Sequence, residues 1–285
     1  MGGMEGVRKR ILELDEAVKR RMSDVKYKIA VLSGKGGVGK SVVTANLALT
    51  IASRGRRGLV GILDADITGP TIPKLLNLRG KELLAGPNGI EPVLGPLDVK
   101  VVSMDYLLLN DYTPVIWRGP LKSTAIKQFL GDIDWGKLDF LFIDLPPGTG
   151  DEPLTIAQSI PNITGAIIVT IPSEVSQIVV RRAVGFCRVL NIPIIGVVEN
   201  MSGFICPNCG AEVDIFMKGG GERIAVEMGL DFLGRIPLDK RLCEASDRGE
   251  SLILSGDDTP TVKAFMNLAA KVEDYVKRID MSNQV

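Results

Sequence analysis

Short apolar runs rich in Val and Ile, at residues 28–33, 59–64, 99–104, 140–144, 165–171, 194–199 and 231–236, alternate with helical patterns at 39–54, 118–131, 173–190 and 219–229. Continuous apolar runs are expected of parallel strands buried on both faces, and right-handed crossovers put the intervening helices on the two sheet faces. The pattern predicts an α/β fold with a mostly parallel central sheet of about seven strands or more. Segment 80–98, with scattered Gly and Pro, reads as an irregular surface insertion. Amphipathic stripes mark both ends: Ile11, Leu14, Val18, Met22 and Val25, then Val262, Phe265, Ala269, Val272 and Val276. The second helix mixes Lys263, Lys271, Glu273, Asp274, Lys277 and Arg278 on its polar face, which favours packing on the sheet over a membrane. With no repeat and no linker, the expected organisation is an N-terminal helical extension over 1–26 and a single domain over 27–285.

Composition narrows the chemistry. The chain of 285 residues is 45% hydrophobic and 24% charged, as globular chains are, and its 34 Lys plus Arg balance 34 Asp plus Glu. That balance gives no reason to expect a nucleic acid or membrane surface as partner. No run reaches the length of a spanning helix and residues 1–26 are too charged for a signal-peptide core, so a cytoplasmic protein is expected. There is no histidine, which excludes His triads and His metal ligands. The four cysteines, Cys187, Cys206, Cys209 and Cys243, are too few and too unevenly spaced for a disulfide framework.

Gly34-Lys35-Gly36-Gly37-Val38-Gly39-Lys40-Ser41 matches G-x-x-x-x-G-K-[ST] between an apolar strand and a helical pattern, the context of a phosphate-binding loop. Its amides and the helix N-terminus suit the phosphates, Lys40 reaches the β and γ oxygens, and Ser41 suits Mg²⁺. Lys35 reads either as a charge reaching across a dimer to the partner's phosphates or as exposed loop charge. Asp144 ends an apolar strand, where a carboxylate serving Mg²⁺ is expected, and the stiff 145–151 segment suits a switch whose Gly148 amide meets the γ-phosphate. Asp64 and Asp66 close another strand two residues apart, so in an extended segment they point the same way. One of them would orient the attacking water, or serve instead as a cap or turn former.

Cys206-Pro207-Asn208-Cys209-Gly210 is half of a four-thiolate site. A second subunit, a partner protein, or Cys187 and Cys243 would complete it, and symmetry favours the second subunit, giving one 4Fe-4S cluster or one zinc. A redox dithiol is a third reading, disfavoured by the position of the pair after the sixth strand. Cys187 and Cys243 read as buried structural thiols.

The combination resembles the Mrp (ApbC-type) family of iron-sulfur cluster carrier ATPases, within the deviant-Walker group that includes MinD, ParA and the nitrogenase iron protein. The similarity lies in the lysine-first loop at 34–41, Asp64-Ala65-Asp66-Ile67-Thr68-Gly69-Pro70, Trp117-Arg118-Gly119-Pro120, the 144–151 segment and the Cys206–Cys209 turn, over residues 28–246. It implies a homodimeric single-domain P-loop ATPase that passes a labile 4Fe-4S cluster, shared through Cys206 and Cys209 of two subunits, to apo iron-sulfur proteins. It further implies that Lys35 reaches the partner's ATP, Asp66 positions water, Ser41 and Asp144 serve Mg²⁺, and Asn200 with Pro237 holds adenine. Eukaryotic relatives carry an N-terminal cysteine cluster and longer bacterial ones an extra domain, and neither is expected in residues 1–26. The contrasting reading is a MinD- or ParA-like positioning switch with a structural zinc between subunits.

Overall fold

A computed structural model describes residues 2–66, 69–107, 119–206, 209–213, 215 and 217–282, with side chains from residue 9 onward except 107–125. The central sheet has eight strands: β1 (Val25–Ser33), β2 (Val60–Asp64), β5 (Val93–Leu94), β6 (Lys100–Ser103), β7 (Leu138–Asp144), β8 (Gly165–Thr170), β9 (Ile194–Glu199) and β12 (Phe232–Arg235). Their order is β12-β9-β8-β1-β7-β2-β6-β5. All seven expected runs form the parallel part, and β5 adds one antiparallel edge against β6. The 80–98 insertion is therefore more ordered than its composition suggests, since a hairpin of β3 (Leu84–Gly86) and β4 (Gly89–Glu91) precedes that edge strand. Its strands of three residues or fewer are too short to show an alternating pattern.

Alternation along the buried strands divides the core. Ile29, Val31, Phe140 and Phe142 face one side, where they meet α2 (Lys40–Ser53), α3 (Ile72–Leu75), α8 (Lys240–Arg248) and α9 (Pro260–Ser282). Ala30, Leu32, Leu141 and Ile143 face the other, against α1 (Gly2–Ser23), α4 (Gly119–Asp132), α5 (Asp151–Ser159) and α6 (Glu174–Val189). On the same side Ile168 and Val197 pack with α6 and α7 (Gly220–Met228).

Both terminal stripes form helices. In α1, Val18 and Met22 are buried while Ile11 is exposed, and Lys127 pairs with Asp15 at 2.6 Å to tie α1 to α4. The sheet already begins at Val25, inside the segment read from sequence as extension. In α9, Phe265, Leu268, Ala269, Val272 and Val276 are buried, and Glu273 accepts from Arg54 and Arg56 at the end of α2. No helix among the described residues is long and apolar enough to cross a membrane. Three helices escaped the sequence pattern, α3, α5 and α8, because with four, nine and nine residues none is long enough to show a sustained period. The placement of α8 corrects the expectation for Cys243: Leu242 and Ala245 point inward and Cys243 is exposed. Cys187 is buried as expected.

Because Phe265 is fully buried where α9 meets the sheet, truncation leaves a cavity. Phe265→Ala is expected to lower unfolding free energy by about 3–5 kcal/mol in urea titrations followed by circular dichroism. A loss below about 1 kcal/mol would mean that α9 contributes little to the core.

Candidate functional site

The parallel sheet delivers the carboxyl ends of β1, β2 and β7 to one edge, where an α/β fold binds its ligands. After Ser33 at the end of β1 the loop over residues 34–41 turns back into α2. Gly37 and Gly39 both have φ of 78°, and Gly39 caps α2 in the left-handed region. A Cβ at Gly39 would also collide with the Asn200 amide, so glycine is required there by space as well as by φ.

Asp144, at the end of β7, is fully buried and gathers three donors. Lys40 Nζ lies 2.6 Å and Ser41 Oγ 2.5 Å from its Oδ2, and Thr44 Oγ1 donates to Oδ1 at 2.7 Å. The side chains read from sequence as phosphate and Mg²⁺ groups thus converge on one carboxylate. A hydroxyl and a carboxylate side by side are hard oxygen donors, the set that Mg²⁺ takes. Thr44 is a third member that the sequence reading missed; it lies one helical turn after Lys40, and that i, i+4 spacing is the signal that could have found it.

The two strand-end aspartates separate, contrary to the expectation that they point the same way. The strand ends at Asp64, whose wholly buried carboxylate accepts from Ser103 Oγ at 3.0 Å and the Ile72 amide at 3.2 Å. Asp66 lies beyond the strand and accepts the Gly69 amide at 3.1 Å. It lines a cavity of about 290 Å³ together with Gly36, Gly37, Lys40, Ser41 and Pro147. Only Asp66 therefore faces the phosphate loop. Residues 67, 68, 117 and 118 of the family-like segments lie outside the described residues, as do Pro207 and Asn208.

Lys35 is half-buried, its carbonyl held by Ser33 Oγ at 2.9 Å, and its ammonium makes no ion pair with a described residue. The Gly148 amide donates to the Ser33 carbonyl at 2.8 Å, so it must release that oxygen before it can meet a phosphate. Gly34 packs against the backbone of Val179 on α6. Asn200, just past β9, donates from Nδ2 to the Val38 carbonyl at 2.9 Å. Pro237 lies on a separate cavity of about 480 Å³ with Phe204, Ile205, Asp239 and Arg241.

That cavity borders the cysteine turn. Residues Phe204–Ile205 (β10) and Glu212–Val213 (β11) form a two-stranded antiparallel ribbon carrying the turn. The Cys206 amide donates to the Ala211 carbonyl and the Gly210 amide to the Cys206 carbonyl, each at 2.9 Å. Cys206 is half-buried, Cys209 exposed, and Ile205, Val213, Ile215 and Met217 around them are exposed apolar side chains. Among the described residues no group of three or more His, Cys, Asp or Glu is placed to hold a metal ion, so Cys187 and Cys243 do not complete the pair. Sequence reading also missed Glu199, which is fully buried at the base of this ribbon and accepts from the Gly219 amide at 2.9 Å.

Burial, with the charge of Asp144 beside it, pushes the Asp64 carboxyl up to about 8. Between the ordinary carboxylate range and that value the unfolded chain has released a proton that the folded chain keeps, so stability falls as pH rises and levels off above about 8. Asp64→Asn removes this loss. In urea unfolding without nucleotide or magnesium, the stability of the variant relative to the parent is expected to climb from about pH 5 to about 8 and then stay flat. A pH-independent difference would mean that Asp64 is ionised in the folded chain.

Comparison with known proteins agrees with this geometry. The description "ParA: NUBPL iron-transfer P-loop NTPase" matches residues 24–273. The chain is similar to the iron-sulfur cluster carrier protein of Saccharolobus solfataricus, 54% identical over 95% of this chain and 91% of that one. It is 52% identical to the iron-sulfur cluster carrier protein of Methanocaldococcus jannaschii, over 95% and 92% of the two chains. Among solved structures it is similar to the nucleotide-binding protein of Archaeoglobus fulgidus in complex with ADP, with a TM-score of 0.73 and 43% identity over 82% of this chain and 91% of that one. The MinD cell division protein of Aquifex aeolicus, 21% identical with a TM-score of 0.64 over 87% of this chain and 97% of that one, shares the fold. With a phosphate loop seated on a buried carboxylate and relatives this similar along nearly its whole length, the chain belongs to the iron-sulfur cluster carrier family of P-loop NTPases.

Proposed function

We propose that this protein is an ATP-hydrolysing homodimer that holds a labile 4Fe-4S cluster between two copies of the Cys206–Cys209 turn and delivers it to apo-proteins. The observation that carries the reading is the turn itself: two thiols at the surface, on a ribbon of two short strands, with no further protein ligand among the described residues. Two copies about a twofold axis supply the four thiolates such a cluster takes. Few ligands per chain, open to solvent, suit a cargo that must leave.

Nucleotide chemistry follows from the phosphate loop. Amides of residues 36–41 and the start of α2 cradle the phosphates, and Lys40 exchanges its contact with Asp144 for the β and γ oxygens. Ser41 and Asp144 would hold Mg²⁺, which when bound would offset the charge of the phosphate oxygens. Asp66 orients a water for in-line attack on the γ-phosphorus, and the bond from that phosphorus to the bridging oxygen breaks as the new one forms. Lys35 of a second copy stabilises the charge on the transferred group, which makes turnover depend on dimerisation. Asn200 and Pro237 bound the adenine, and the ADP complex of the Archaeoglobus fulgidus relative supports nucleotide binding. Once the γ-phosphate has left, Gly148 returns to the Ser33 carbonyl.

Anaerobic reconstitution with iron and sulfide tests the cargo. About two irons and two sulfides per subunit, lost in Cys206→Ala and in Cys209→Ala, are expected for one shared cluster. About half a zinc per subunit without sulfide would point instead to a switch with a structural metal. For hydrolysis, Lys35→Gln is expected to lower turnover by about 10³ or more while nucleotide binding persists, and an unchanged rate would place Lys35 outside the reaction.

A further inference from the structure

Two consecutive residues at the end of β9 face the two halves of the molecule. Asn200 donates from its side chain to the Val38 carbonyl of the phosphate loop, and its amide donates to the Thr170 carbonyl at 2.8 Å. Glu199 points the other way. Its Oε1 accepts from the Gly219 amide at 2.9 Å and from Ser202 Oγ, and its Oε2 accepts from the Gly221 amide. Arg235 Nε stands 3.6 Å from Oε1. Ser202 and Gly219 are the two ends of the excursion that carries Cys206 and Cys209, so one buried carboxylate closes that loop at its base.

The backbone around the carboxylate leaves it little freedom. The Ile236 amide donates to the Glu199 carbonyl at 2.8 Å, and the Ser202 amide returns to the Ile236 carbonyl at 3.0 Å. A Cβ at Gly221 would stand 2.9 Å from Glu199 Cβ, so the start of α7 lies directly on this side chain. A buried carboxylate that accepts several hydrogen bonds is costly to leave unpaired, so these groups shift together rather than one at a time. The carboxylate also sits at the N-terminus of α7, where the helix dipole favours its charge.

We infer that Glu199 is a positioning residue that couples nucleotide occupancy at the phosphate loop to the geometry of the Cys206–Cys209 turn. This rests on the function proposed above. Any displacement of Asn200 as the phosphate loop takes up a nucleotide passes through one peptide unit to Glu199, and through Glu199 to both ends of the cysteine loop. Linkage requires the reverse as well: metal on the thiols changes nucleotide affinity by the same factor.

Cobalt(II) is a suitable probe, because its bond to thiolate gives an intense charge-transfer absorption. Anaerobic cobalt titrations of the full chain, with and without the magnesium complex of a non-hydrolysable ATP analogue, are expected to differ in apparent Kd by about fivefold or more. In Glu199→Gln, which keeps the shape but turns one acceptor into a donor, the two titrations are expected to coincide. Cobalt alone and nucleotide alone should still bind within about threefold of the parent. Ser202→Ala removes one bond from the same carboxylate and is expected to reduce the difference without abolishing it.

Hydrogen exchange of the unmodified protein provides a measurement independent of folding in the variants: nucleotide is expected to change protection of the amides at 219–221. Unaltered coupling in Glu199→Gln, or nucleotide binding without any change at 219–221, would overturn the inference and leave the carrier reading intact. Failure of the parent to show a thiolate–cobalt band would overturn both.

Discussion

A buried carboxylate must be paired, and Asp144 meets that constraint with the three side chains that open α2. Because β7 lies between β1 and β2, its last residue emerges at the middle of the sheet edge, under the phosphate loop. Lys40 and Ser41 reach it from the start of the helix and Thr44 from one turn further on. The loop between β1 and α2 is thus fixed at both ends, by sheet pairing at Ser33 and by charge at Asp144. Its amides are oriented before any phosphate arrives, so little ordering remains to be done on binding. Asp64 stands opposite Asp144 in the register of β2 and β7, and this proximity adds to burial in keeping its proton on.

The cysteine turn is constructed in the opposite way. Its ribbon has two residues per strand, and its apolar neighbours Ile205, Val213, Ile215 and Met217 face outward instead of joining the core. A segment with so few buried contacts opens at low cost in free energy. Rigidity at the phosphate loop and softness at the thiols are what a carrier needs, since the energy source must be well positioned and the cargo must leave. The same exposed apolar side chains suit burial against a second copy, so the proposed four-thiolate site and the proposed dimer contact would share one surface.

Most of the sheet was legible because strands buried on both faces must be apolar throughout, and no other element of five to seven residues reads that way. The phosphate loop was legible for a different reason: its glycines and Lys40-Ser41 are set by chemistry that few other arrangements meet. The α5 and α8 helices were not, since nine residues with only a few inward positions give no sustained period. The separation of Asp64 from Asp66 was hidden because alternation holds only while the strand continues, and it stops at Asp64. Thr44 and Glu199 were missed because a threonine inside a helix and a glutamate at a strand end carry no motif. Their roles follow only from what the fold brings to them, Asp144 in one case and the amides of Gly219 and Gly221 in the other.

The position of Glu199 follows from the same strand geometry that divides the core. Glu199 is the last residue of β9 and Asn200 the first beyond it, and their side chains touch two structures that lie on opposite sides of the strand. Here the phosphate loop lies on one side of β9 and the root of the cysteine ribbon on the other, with no direct contact needed between them. The strand itself is hydrogen-bonded to β8 and β12 and buried along nearly its whole length, which makes it a poor site for independent local motion. What reaches its end is therefore conveyed across it instead of being absorbed. The coupling inferred between the phosphate loop and the two thiols therefore needs no more than the single peptide unit that joins Glu199 to Asn200.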